Sequence, residues 1–159
     1  MSTLNLDKLA AERAQEMVRR AREGIPEVRS PIETLERLAT KTLGVLQEQG
    51  VYAMLLFLFS RTSDEEKVAP VVRGELFNAL KELPGFKDNT EVQSLHENTD
   101  AQRALETYSK NVLDERNSPG GLDTLLLIRD LYEKTLIYTR FGAKAAKKVT
   151  TGESERAGG

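Results

Sequence analysis

Nine consecutive apolar residues, Val51 to Phe59 (VYAMLLFLF), lie between Gly50 and the pair Ser60-Arg61, and they restrict this chain more than any other stretch. The run is about half of the 20 or so residues needed to cross a bilayer. It also lacks the polar stripe that a solvent-facing helix shows at every turn. It therefore predicts the buried centre of a helical domain, with any function carried by the polar helices packed around it. Gly50 reads as a C-cap or hinge between this run and the helix before it.

The flanking sequence is helical by period. Leu6, Ala10, Ala14, Met17 and Ala21 recur at three-to-four spacing and predict an amphipathic helix over 4–23, stopped by Gly24 and Pro26. Ser30-Pro31-Ile32-Glu33 predicts a second start: a Ser cap, a Pro at the first helical position and a Glu bonding back to the Ser30 amide. Ile32, Leu35, Leu38, Ala39, Thr42 and Leu46 give that helix its inner face. After an exposed acidic turn, Thr62 to Lys67, a fourth helix carries Pro70 in its first turn and runs to Leu83. Pro84-Gly85 stops it. Asp88-Asn89-Thr90-Glu91 caps a short helix to about Glu97, and Thr99-Asp100 caps another to about Glu115. The loop 117–121 (NSPGG) precedes the longest helix, Leu122 to about Lys148, which is apolar on more than one side and is expected to be central. Residues 149–159 read as a disordered C-terminal tail.

No segment alternates with the two-residue period of a strand. At 159 residues, 39% apolar and 30% charged with a net charge of −2, the chain is long enough for one real core. The expectation is an all-α, compact single-domain bundle of six or seven helices over 1–148. The N-terminus has neither the basic nor the apolar region of a secretory signal. With no cysteine, thiolate chemistry and disulfides are excluded, which suits a cytoplasmic protein.

Catalytic and cofactor motifs are hard to find. His96 is the only histidine. It has no nucleophile and orienting group in its sequence context, and one His without Cys makes a zinc site improbable. Pro119-Gly120-Gly121 precedes a helix but lacks a following Lys-Ser/Thr, and Asp123 would repel phosphate. Asp64-Glu65-Glu66 reads as a solvated turn. The chain is read as no enzyme, with no cofactor, metal, membrane or small-molecule substrate.

Arg140, Lys144, Lys147 and Lys148 are different. Their spacing places them in one quadrant of the last helix, a pattern suited either to phosphate contacts or to the helix C-terminal dipole. With few aromatics on the polar faces, any nucleic-acid contact is expected to be with backbone rather than by base stacking.

Two segments resemble the small helical subunit of type III-B CRISPR effector complexes, the Cmr family. That family's pattern runs lysine, Leu-Pro-x-Leu-Ile, Asn-Gly-Leu and an apolar Leu-Ala-Phe helix. Lys41, Leu43, Leu46, Gly50, Leu55 and Phe57 fall at the matching steps. Gly44, Gln49, Val51 and Leu56 replace the family's Pro, Asn, Leu and Ala. The family's last helix has Leu-x-x-Arg-Glu and then Trp-Leu-Lys-Arg-Phe-Ala; here stand Arg129-Asp130 and Ile137 to Gly142, without the Trp and the Lys.

The resemblance implies a non-catalytic subunit that stacks with copies of itself and with larger effector subunits in an inner filament. It would line the guide RNA–target RNA channel. Lys41 and Arg140 match basic positions of the family, and Arg129 is either packing or surface. Charge and helical spacing add Arg61, Lys144 and Lys148 as candidate RNA contacts. The small subunit of type III-A complexes, or a helical protein–protein adaptor without RNA binding, are the alternatives.

Overall fold

The structure is a computed structural model that describes residues 4–116 and 118–158, with side chains up to Lys148. Seven α-helices, and no strand among the described residues, make an all-α single-domain bundle.

α1 (Leu6–Glu23) starts where the Asn5 side chain accepts the Lys8 amide at 3.0 Å, and it buries Leu9, Ala10, Ala14, Met17 and Ala21. α2 (Pro31–Gln49) has its Pro at the first position, but Ser30 makes no side-chain cap bond, so the predicted capping box is not formed. Its helix start relies on the preset φ of Pro31 and on the Thr34 amide reaching the Ser30 carbonyl at 2.9 Å. Gly50 is the hinge the sequence predicts. At φ 93°, a region that favours glycine, its N–H closes α2 on Leu46 and its carbonyl opens α3 by accepting Met54.

α3 (Val51–Phe59) is only partly the buried centre expected of it. Val51, Met54, Leu55 and Leu58 face inward, while Tyr52 and Leu56 are exposed at 40% and 45%. A helix of two and a half turns has an outer face even when every residue is apolar. Two arginines close its C-terminal end. Arg61 donates to the Phe57 carbonyl (3.0 Å) and Arg73 to that of Leu58 (3.2 Å), and their guanidinium groups lie over the Phe57 and Phe59 rings.

The most enclosed element is α4 (Ser63–Lys81). It buries Val68, Ala69, Val71, Val72, Leu76, Phe77, Ala79 and Leu80 and touches α1, α2 and α3. It begins inside the stretch expected to be an exposed acidic turn, so Asp64, Glu65 and Glu66 form its first turn, where carboxylates favour the helix dipole. Pro70 therefore lies in the helix interior rather than in its first turn. There it removes only the one N–H that would reach back to residue 66.

A 3-10 turn (Pro84–Phe86) leads to α5 (Thr90–Gln93), capped by Asn89, and α6 (Ala101–Asn111), capped by Asp100. Both helices are shorter than the sequence suggests. His96 lies in a turn beyond α5, and the Val112 and Leu113 amides both bond to the Tyr108 carbonyl and finish α6 there. Asn117, the first residue of the predicted loop, lies outside the described residues.

α7 (Leu122–Gly158) packs along α1 and α2 and also reaches α4. It runs antiparallel to α2. Gln47 bonds Glu133 near one end, and Lys147 bonds Glu36 near the other. Arg129 is exposed, and from the surface it donates to the Gln47 carbonyl at 2.7 Å and so caps the α2 C-terminus. Against α1, Gly142 approaches so closely that an added Cβ would stand 3.2 Å from Val18. Tyr132 of α7 and Tyr108 of α6 share a fully buried hydroxyl hydrogen bond, and burial pushes the Tyr108 phenol well up. The tail expected over 149–159 differs from the backbone, which is helical to Gly158. Extending an existing helix needs no new nucleus. The side chains beyond Lys148, and Gly159, lie outside the described residues.

Candidate nucleic-acid interface

The five candidate residues separate into two surfaces on different sides of α2. Glu36 points to Lys147 of α7, whereas the next residue, Arg37, points to Glu65 of α4. Successive helical residues diverge by about 100°, so the groups beside Glu65 and those on α7 do not merge into one face.

The first surface gathers Lys41 and Arg61. Lys41 Nζ stands 2.9 Å from Glu65 Oε2, and Arg61 Nη1 stands 3.4 Å from Oε1. Arg37, which the sequence reading passed over, joins them with its Nε 3.0 Å from Oε2. The Glu65 side chain is 10% exposed, while Arg37 and Lys41 are each 48% exposed. Glu65 is thus a buried anchor rather than part of a solvated turn. Burial pushes its carboxyl up, but hydrogen bonds from Lys41 and Arg37, the Lys41 charge and the Arg61 hydrogen bond outweigh it and hold the pKa below the ordinary value. The sequence shows part of this cluster, the Arg37–Lys41 spacing, but not its acid. Arg37 and Lys41 are four residues apart and would repel on one helix face unless an acid lay between them.

The second surface is the outer side of α7. Lys144 and Lys148 are exposed and Arg140 is half-buried, with no ion pair to any of the three among the described residues. Lys147, expected in the same stripe, turns toward α2 and is held by Glu36 at 3.1 Å. Phe141 lies within this row at 58% exposure, with the Arg140 guanidinium carbon 5.8 Å from its ring centre. Few aromatics were expected on the polar faces, and Phe141 is one of them. Phe141 follows the apolar residues of α7 in sequence, but the helix turns it outward.

Elsewhere, His96 Nδ1 accepts the Asn98 amide at 3.1 Å, and the Thr99 hydroxyl accepts the His96 amide at 2.9 Å. The imidazole thus helps to hold a turn. Among the described residues no group of three or more acidic or His side chains is placed to hold a metal ion, and no helix is long and apolar enough to cross a membrane. Compared with known proteins, the chain matches no family model, no curated protein and no solved structure.

Proposed function

We propose that this chain is a non-catalytic small subunit of a Cmr-type, RNA-guided effector complex in the cytoplasm, and that α7 lays its outer face along the backbone of guide and target RNA. The observation that carries this reading is the row Arg140, Lys144 and Lys148. The three recur every four residues, about 6 Å apart along the helix, and no carboxylate pairs with them among the described residues. Unpaired cations retain their full charge for phosphates and release counterions on binding. The exposed Phe141 ring adds a surface on which an unpaired base can stack.

The resemblance supports the same reading from another side. Leu43, Leu46 and Leu55 are core residues here, and Gly50 forms the α2–α3 hinge. The matched positions thus form one structural corner. Replacement of the family's proline by Gly44 leaves α2 unbroken.

Exposed Tyr52 and Leu56 on α3, with Leu122 and Leu126 at 57% on α7, favour a second reading, a protein–protein adaptor. In an effector subunit these apolar faces would meet neighbouring subunits or copies. Tagging the chain in the cells that encode it separates the readings: RNA and several larger subunits should co-purify. Proteins without RNA would support the adaptor and contradict the effector role. A type III-A complex would be identified by its own set of co-purifying subunits.

A further inference from the structure

The Glu65 cluster is more than a stabilising ion-pair network, because its charges do not balance. Three cations meet one carboxylate, which leaves two positive charges uncompensated, and no other carboxylate among the described residues lies within ion-pair distance of the three. The charges are also layered. The acid is nearly buried, while the heads of Arg37 and Lys41 are half exposed above it.

Unused donors remain on that exposed side. Arg37 bonds Glu65 through Nε alone, so both terminal nitrogens are unengaged among the described residues. Lys41 uses one of its three ammonium protons on Glu65. Arg61 is fixed by the Phe57 ring 3.6 Å beneath its guanidinium carbon, by the Phe57 carbonyl and by Ser60 Oγ. A guanidinium fork beside an ammonium, each with its side chain already ordered, matches the oxygens of a phosphate. Ordering before the ligand arrives removes part of the entropy cost of binding.

We infer that Arg37, Lys41 and Arg61 form a preorganised site for a phosphate oxyanion, with Glu65 as its positioning residue. The occupant is a phosphate group, either free or within a polynucleotide backbone. Only the second source rests on the RNA reading above.

Glu65 makes the inference testable, because positioning and bulk charge predict opposite signs. Glu65→Gln raises the local positive charge yet removes the anchor that aligns Arg37 and Lys41. Inorganic pyrophosphate is titrated into the full chain at low salt by calorimetry, and single-stranded RNA is titrated in parallel. Wild-type protein should bind pyrophosphate, and Glu65→Gln should bind it about tenfold more weakly. Arg37→Gln, at an exposed side chain, should show a loss of similar size with an unchanged melting temperature. It serves as the readout should Glu65→Gln fail to fold.

Tighter pyrophosphate binding by Glu65→Gln, absence of binding by wild type, or indifference to Arg37→Gln would each overturn the site. Pyrophosphate binding without RNA binding would uphold the site and count against the effector role. RNA binding without pyrophosphate binding, unaffected by Arg37→Gln, would do the reverse.

Discussion

The Glu65 cluster and the outer face of α7 carry the same number of cations but hold them in opposite ways. In the cluster, two side chains of α2 and one from the segment between α3 and α4 are tied to one buried carboxylate. On α7, two exposed side chains and the half-buried Arg140 share one helix with no carboxylate partner among the described residues. The first arrangement trades net charge for geometry, and the second keeps charge and leaves geometry loose. Preorganised donors suit one defined anion, whereas a loose row suits a repeating polyanion that can shift in register. Counting Lys and Arg along the chain cannot distinguish the two.

Reversing charge on the loose surface should have the largest effect. Lys144→Glu with Lys148→Glu should weaken single-stranded RNA binding about 100-fold at low salt, taking each lost charge-assisted contact as roughly tenfold. The melting temperature should stay unchanged. An equal fall in stability would assign these lysines to packing or capping.

The tied surface should respond in stability. Glu65→Ala strands three cations and should cost about 2 kcal/mol in denaturant unfolding, between the values for exposed and buried pairs. Lys144→Ala should stay within about 0.5 kcal/mol of wild type. Similar losses for both would erase the distinction between the surfaces.

The same contrast appears with pH. The folded-state pKa of Glu65 lies below the ordinary glutamate value, so its contribution to stability is present above that ordinary value and is lost as pH falls through the depressed folded value. Wild type should therefore lose more stability between neutral pH and that acid window than Glu65→Gln does. Parallel curves for the two proteins would mean that the carboxylate is not held by the cations.

A smaller effect is expected at Phe141. Its replacement by Ala should weaken single-stranded RNA binding about tenfold if a base stacks there, without loss of stability, because the ring is mostly exposed. Unchanged binding would restrict the α7 surface to backbone contact.

Much of the fold was legible because apolar period and punctuation agree in most elements. Gly24 and Gly50 end segments where the structure ends them, and Pro84 follows the end of α4 at Lys81 within a few residues. The errors arose where a tertiary partner decides a residue's state. Thr62 to Lys67 read as an exposed turn because three acids in a row are usually solvated. Glu65 is drawn inside by cations 24 and 28 residues earlier in the chain, a pairing that local sequence does not display. Pro70 suggested a helix start, yet packing on several sides sustains α4 around it. For the candidate site, helical spacing identified the Arg140–Lys144–Lys148 row. It could not show that Lys147 turns to Glu36, that Lys41 and Arg61 share one acid, or that Phe141 faces outward.

The central claim is that Arg140, Lys144 and Lys148 of α7 contact RNA phosphates, and the salt dependence of RNA binding tests it most directly. The affinity of the full chain for single-stranded RNA is measured between about 50 and 200 mM salt. Three phosphate contacts predict a log–log slope of about −2, and Lys144→Ala should make it shallower by about 0.7. Binding that is absent at the low-salt end, or a slope that Lys144→Ala leaves unchanged, would contradict the account.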